Sequence, residues 1–232
     1  MNVYYSIGKL VAKICFNAFA NLKVYGNENV PIKGPLIIAA NHLSTADPPL
    51  IVSTLNRRLH FLAKKELFSN VITRHIFYTC GAYPLDREGH NAKSINWAVN
   101  GLSQDKAILM FPEGTRSIGR DAMQQAKPGI GYLALKSNAP ILPIGITGTK
   151  NITGYWRIPF PFCKINVTIG PPFTIPPIEG DITHELFQHV SNMIMYRVAQ
   201  LLPKSYQGYY RLSNLQSKSP ISEYPIPPET SY

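Results

Sequence analysis

The sequence predicts an α/β fold: a central, mostly parallel or mixed sheet flanked by helices, with an amphipathic interfacial helix region at the amino terminus. Three observations carry that prediction. After residue 30, short apolar runs alternate with stretches of helical period, the pattern of a sheet covered on both faces. The 232 residues are 45% hydrophobic and 16% charged, enough apolar material for a substantial core. No uncharged run reaches the roughly 18 residues needed to span a bilayer, which argues against a polytopic membrane protein. The same composition excludes wholesale disorder, collagen and coiled coil.

The first element is a helix over residues 3–20. Its polar residues Asn2, Ser6, Lys9, Lys13 and Asn17 recur at steps of three and four, so they form one narrow stripe. The remaining surface is Val, Ile, Leu, Phe, Tyr and Ala. A wide apolar face with a lysine stripe describes a helix lying in a membrane interface, its lysines reaching headgroups. A transmembrane span would bury two lysines at about 2.5–3.5 kcal/mol each. A cleaved signal would have an uninterrupted apolar centre after a basic start. A helix of the soluble core is the plain alternative. The interfacial reading assigns residues 1–30 to a membrane-associating region, 31–212 to an α/β domain and 213–232 to a loosely ordered, Pro-rich tail.

Within the domain, strands are expected at 36–40, 59–63, 107–111, 141–146 and 164–169. Helices are expected at 48–56, 66–78, 90–104, 128–137 and 183–202. The third helix repeats Ala92, Ile95, Val99 and Leu102 at helical spacing; the last repeats Phe187, Val190, Ile194, Val198 and Leu201. Segments 154–162 and 171–180 are rich in proline and aromatic residues and read as irregular.

Lys and Arg number 23 against 13 Asp and Glu, a net charge of +10 with a pI near 9.5. Such a balance speaks to partners: nucleic acid, anionic lipid and phosphorylated substrates all fit. Cys15, Cys80 and Cys163 are odd in number and scattered, which favours a reducing compartment over a disulfide framework.

Two loops at strand ends carry candidate chemistry. The run 36–40 leads directly into Asn41-His42-Leu43-Ser44-Thr45-Ala46-Asp47, followed by Pro48-Pro49. Open α/β sheets place active sites at such strand ends. Asp47 could hold one imidazole nitrogen of His42 and leave the other as a free base. It could equally be a helix N-cap before proline, with His42 a satisfied core residue. The run 107–111 leads into Pro112-Glu113-Gly114-Thr115-Arg116-Ser117, where glycine permits close approach and Arg116 offers a planar fork for phosphate. In isolation this is also what a polar turn with a solvated arginine looks like. Four further pieces are Lys64-Lys65-Glu66-Leu67, the segment Gly81 to Arg87, Lys127-Pro128-Gly129 and the segment Ala139 to Ile144.

In this order the blocks resemble the glycerolipid acyltransferase family, in particular its bacterial lysophosphatidic acid acyltransferases. Asn41–Asp47 matches the family's NHxxxxD box, and Phe111–Ser117 matches FPEGTRS at every position. Lys64–Leu67 with Gly81–Arg87 matches the second block, with Leu85 where isoleucine is usual. Ala139–Ile144 matches the Pro-rich strand block. The resemblance spans about residues 5–205.

The resemblance implies transfer of a fatty acyl group from acyl-CoA or acyl carrier protein to the sn-2 hydroxyl of lysophosphatidic acid, giving phosphatidic acid. His42 would be the general base and Asp47 its orienter. Lys64, Arg87 and Arg116 would hold the acceptor phosphate; Gly114 and Thr115 would shape the pocket; Glu113 would hold the loop or the glycerol. Asn41 and Ser44 are further candidates for the acceptor site. No cofactor and no metal are implied. An anionic membrane surface is the expected partner, at the cytoplasmic face of the cell membrane. Rival readings are an acyltransferase for glycerol 3-phosphate or another lysophospholipid, and a catalytically silent lipid-binding protein of the same fold.

Other signals fall away. His184 and His189 are five residues apart, so they face different sides of a helix and do not form HExxH. Gly145 to Lys150 is too short for a phosphate-binding Walker loop. The sequence has no GxSxG elbow and no RNA-module signature, and no nucleic-acid partner is expected.

Overall fold

The computed structural model describes residues 3–85, 92–117, 122–176 and 183–211. In chain order the elements are α1 (Val3–Phe19), β1 (Asn21–Tyr25), β2 (Leu36–Ala40), α2 (Asp47–Thr54), β3 (Leu59–Lys64), α3 (Val71–Thr79), β4 (Ala82–Leu85), α4 (Ala92–Ser103), β5 (Ala107–Met110), α5 (Gly129–Ser137), β6 (Ile141–Thr147), β7 (Lys164–Ile169) and α6 (His184–Gln200). Short 3-10 turns occupy Lys65–Phe68, Thr149–Asn151 and Tyr155–Arg157.

The seven strands form one sheet in the order β1-β7-β6-β2-β5-β3-β4. Every pairing is parallel except β6 with β7, so the sheet is mixed. β2 lies at its centre, with Ile37 opposite Ile108 of β5 on one side and Ile141 of β6 on the other. All five β2 residues are buried, which is why this strand reads as an unbroken apolar run. Its side chains alternate between two cores. Leu36, Ile38 and Ala40 pack with Leu50, Ile51 and Leu55 of the α2 region and with Phe16 of α1. Ile37 and Ala39 pack with Ile130 and Leu133 of α5 and with Val190 and Ile194 of α6.

The expected strands and helices occur with small shifts of boundary, and four features differ from expectation. β1 and β4 extend the sheet at its two edges. The expected helix over 66–78 is broken in two, because Asn70 starts α3 afresh by accepting the Ile72 N–H through its side chain. Segments 171–176 and 154–162 are largely irregular, yet Phe173 forms a bridge to Ile141. The tail 213–232 lies outside the described residues.

The fourth difference concerns α1. Its polar stripe is divided rather than uniformly exposed. Lys9 turns toward the protein and donates to the Leu55 carbonyl, and burial lowers its pKa from the usual lysine value. Lys13 is exposed. The Tyr5 hydroxyl accepts the Leu59 N–H at 2.9 Å, and Phe16 is fully buried, so both anchor α1 over α2 and β3. Val3, Ile7, Leu10, Val11 and Ile14 face outward. No helix among the described residues is long and apolar enough to cross a membrane.

Phe16 thus ties α1 to the core. Phe16→Ala is expected to cost about 3 kcal/mol or more of unfolding free energy, measured by urea denaturation. A loss below about 1 kcal/mol would show that α1 is not packed as described.

Candidate active site

The site lies where β2 and β5 end, at the carboxyl edge of the parallel strands. Asn41 is the first residue past β2. Its side-chain amide donates to the Ile146 carbonyl at 2.9 Å and accepts the Ile146 N–H at 2.7 Å, so it clamps β2 to β6. That reciprocal pair occupies a side chain only 1% exposed and fixes where His42 begins.

The His42 ring lies 2.8 Å from Asp47, Nδ1 to Oδ2. Asp47 is fully buried. The same Oδ2 accepts the backbone N–H groups of Leu43 at 2.7 Å and Ser44 at 2.8 Å, so the loop is wrapped around the carboxylate. Oδ1 accepts the Thr149 hydroxyl at 2.6 Å. These bonds point back into the loop and across to the segment after β6. Asp47 therefore does not cap α2, whose N-cap is Ala46 with no side-chain bond. An Nδ1–H donated to Asp47 leaves Nε2 as the basic nitrogen. The Phe111 ring stacks on the imidazole at 4.2 Å between centroids.

The second loop is stitched to the first by Glu113. Its Oε1 accepts the His42 N–H at 2.9 Å, and its Oε2 accepts the Ser117 hydroxyl at 3.1 Å and the Gln124 N–H at 2.8 Å. The Ser117 N–H returns to the His42 carbonyl at 2.9 Å. Burial pushes the Glu113 carboxyl above the usual glutamate range, while the Gln124 and His42 N–H groups and the Ser117 hydroxyl pull it back. Of the two roles expected for Glu113, the geometry gives it the loop-holding one. Gly114 has φ +70°, and a Cβ there would stand 2.9 Å from the Lys127 side chain. The positive φ is what favours glycine here, since the flexible end of the Lys127 side chain could move aside.

These residues open onto a cavity of about 400 Å³. His42, Thr45, Lys64, Gly114 and Arg116 are among its lining residues, and its walls are mainly apolar, with Phe61, Leu67, Phe77 and Met110 among them. Tyr5, Lys9 and Cys80 also contribute. Lys64 pairs with Glu66 at 3.4 Å in a half-exposed surface contact, which leaves it loosely held. Arg116 is exposed on the cavity wall.

The sequence-expected residues therefore divide. His42, Lys64, Gly114 and Arg116 share the cavity, and Asp47 supports His42 from behind. Asn41 and Ser44 are corrections: expected at the acceptor, they are spent on the scaffold. The Ser44 hydroxyl donates to the Ile152 carbonyl at 2.6 Å and accepts the Ala46 N–H at 3.1 Å. Thr115 is exposed and is not part of the cavity wall. Arg87 lies outside the described residues. Sequence reasoning missed Thr149, Gln124, Thr45 and Lys9. No local spacing could have found Thr149, which is 102 positions from Asp47. Among the described residues, no group of three or more His, Cys, Asp or Glu converges as a metal site would.

A buried carboxylate behind a histidine that lines a mainly apolar cavity, with Lys64 and Arg116 on the same wall, can deprotonate an alcohol on an amphiphilic substrate. The 1-acyl-sn-glycerol-3-phosphate acyltransferase of Bacillus subtilis is 32% identical over 168 residues, covering 69% of this chain and 81% of the relative. The enzyme of the same name from Streptococcus pneumoniae is 27% identical over 195 residues, covering 83% of this chain and 70% of the relative. The crystal structure of the 1-acyl-sn-glycerophosphate acyltransferase PlsC from Thermotoga maritima shares the fold, with a TM-score of 0.63 at 24% identity over 85% of this chain and 81% of that one. The profile of the Acyltransferase family matches residues 21–147, from β1 to the end of β6 and through both loops of the site. A match over more than half the chain, carrying the histidine, its carboxylate and the arginine loop together, makes this protein a member of the acyltransferase family.

Proposed function

We propose that the protein transfers a fatty acyl group from a thioester, acyl-CoA or acyl carrier protein, to the sn-2 hydroxyl of 1-acyl-glycerol 3-phosphate, forming phosphatidic acid. The observation that carries this reading is the His42–Asp47 pair, 2.8 Å apart, at an apolar cavity that Arg116 also lines. The enzymes from Bacillus subtilis and Streptococcus pneumoniae supply the acceptor class by their names.

An alcohol attacks a thioester slowly until a base removes its proton. His42 Nε2 takes that proton as the acceptor oxygen bonds to the carbonyl carbon. The tetrahedral adduct then expels the thiolate, and the imidazolium returns a proton to the sulfur. Nothing becomes covalently attached to the enzyme. Asp47 holds the ring in one tautomer and stabilises its transient positive charge. General-base catalysis of this kind contributes about 10²–10⁴ in rate.

Arg116, Lys64 and Arg87 are assigned to the acceptor phosphate. Arg116 offers two parallel N–H donors and sets orientation; Lys64 adds charge. Lys127, lying over Gly114, adds a further cation to the same loop. Fixing the phosphate places the hydroxyl against His42, and positioning of that kind lowers the barrier by several kcal/mol. The apolar part of the cavity suits an acyl chain. Because acceptor and product are membrane lipids, the outward apolar face of α1 is assigned to an anionic membrane surface at the cytoplasmic side, with Lys13 beside the headgroups.

The direct test is to supply the purified protein with acyl-CoA and acyl carrier protein donors and a panel of lysolipids. His42→Ala should lower kcat by about 10²-fold or more with the fold intact by circular dichroism; near-normal turnover rejects the base assignment. Arg116→Ala should raise KM for lysophosphatidic acid about tenfold while leaving KM for the donor unchanged; equal rises reject the phosphate role. Thr149→Val removes the hydroxyl on Asp47. It should lower kcat about tenfold with KM unaltered, and Thr149→Ser should restore it. A kcat unaffected by the valine means that Asp47 does not depend on that bond.

A further inference from the structure

Large apolar side chains exposed on this protein are concentrated. Seven lie on α1, four on α3 and four between Tyr155 and Phe162; only Tyr25 and Ile32 fall elsewhere among the described residues. On α3 these are Val71, Ile72, Ile76 and Tyr78, and no residue of that helix is buried. In the loop they are Tyr155, Trp156, Phe160 and Phe162, with Trp156 73% exposed.

The three segments adjoin. The Tyr4 ring of α1 meets the His75 ring of α3 at 6.0 Å between centroids. At the other end of α1, Phe19 meets Phe160 at 4.9 Å and Phe162 at 5.7 Å. All three contribute to the wall of the cavity that reaches His42: Gly8 and Lys9 from α1, Ile76 and Phe77 from α3, Tyr155 and Ile158 from the loop. The three segments that carry the apolar patch therefore also help to wall the cavity that His42 lines. An exposed patch of this extent marks an interaction site rather than ordinary surface. The loop holds Phe162 at φ 37°, a costly conformation for a bulky residue, and still leaves the residue 68% exposed.

Charge identifies the occupant. Residues 3–19, 71–79 and 149–162 contain no Asp or Glu, and they carry Lys9, Lys13, Arg74, Lys150 and Arg157. Arg157 lies over the Trp156 ring, 5.6 Å from its centroid. Aromatic side chains interleaved with cations around apolar helix faces match the interface of an anionic bilayer, where rings sit at headgroup depth and cations meet phosphate. We propose that α3 and the Tyr155–Phe162 loop dock on an anionic phospholipid bilayer together with α1, forming a three-part collar through which the cavity opens onto the lipid. The inference rests on the reading that the acceptor is a membrane lipid, and it adds two docking elements that the sequence did not mark.

Trp156 is its own reporter, since Trp97 is the other tryptophan and stacks on Tyr83 within the fold. In full-length Trp97→Phe protein, vesicles of phosphatidylcholine with phosphatidylglycerol should shift Trp156 emission to the blue, and brominated lipid should quench it. Replacing Trp156, Phe160 and Phe162 by serine, and separately Ile72 by serine, should each weaken vesicle binding, the triple change by about tenfold or more. Turnover of a short-chain lysophosphatidic acid dissolved below its micelle concentration should stay within about twofold of wild type. Vesicle co-sedimentation without any change or quenching of Trp156 emission overturns the proposal in favour of docking by α1 alone. A blue shift that follows protein concentration in the absence of lipid overturns it in favour of a second copy. Loss of soluble-substrate turnover in wild type would instead reject the enzymatic reading, and the vesicle result would still decide the docking surface.

Discussion

A carboxylate without access to solvent is tolerated only when every lone pair that matters finds a donor, and Asp47 is in that position. It is met by an imidazole, two backbone N–H groups and a threonine hydroxyl. This set of bonds constrains much of the molecule. Loop 43–46 must curl back on the carboxylate. The start of α2 must follow at once. The segment after β6 must come close enough to deliver Thr149. Of these partners only the histidine also lines the cavity. With its oxygens engaged by these donors, Asp47 holds the His42 ring in one orientation.

Glu113 performs the complementary task on the neighbouring strand. Its three accepted bonds join the His42 backbone to Ser117 and Gln124, so the loop bearing Arg116 cannot move independently of the loop bearing His42. The Arg116 loop and the His42 ring therefore sit in one frame. Asn41 extends this frame to β6 through both bonds to Ile146. Three polar side chains that stand together in the sequence motifs thus differ in the structure: Asn41 and Glu113 hold backbone, and of the three only His42 lines the cavity. Arg116 and Lys64, by contrast, are exposed side chains on the cavity wall.

What the sequence revealed follows burial. The central strands β2, β5 and β6 are covered on both faces and read as continuous apolar runs. The two strands that it did not reveal, β1 and β4, are the edges. β1 alternates between exposed and half-buried positions over only five residues, directly after a helix. β4 contains Pro84, which an edge tolerates because one side of the strand needs no donor. The His42–Asp47 relation was legible because five positions of chain cannot carry the pair far apart. Thr149 was not, since tertiary folding alone brings it to Asp47. Asn41 and Ser44 were legible as motif members but not as scaffold, because a sequence does not say which way an amide or hydroxyl points.

The same limit applies to α1, which is a helix over Val3–Phe19 but whose orientation the sequence does not contain. A stripe of Ser6, Lys9 and Lys13 can face solvent, headgroups or protein, and here its members part company. Lys9 reaches the carbonyl of Leu55, the extended residue that follows α2, and occupies the cavity wall. A carbonyl oxygen accepts from the ammonium group, so the lysine is held there even as burial lowers its pKa. Turning Lys9 inward rotates Ile7, Leu10, Val11 and Ile14 outward, because residues three and four apart share a helix face. The polar contact that anchors α1 to the catalytic domain is thereby also what exposes its apolar face, and one helix is at once a wall of the cavity and part of the surface around it.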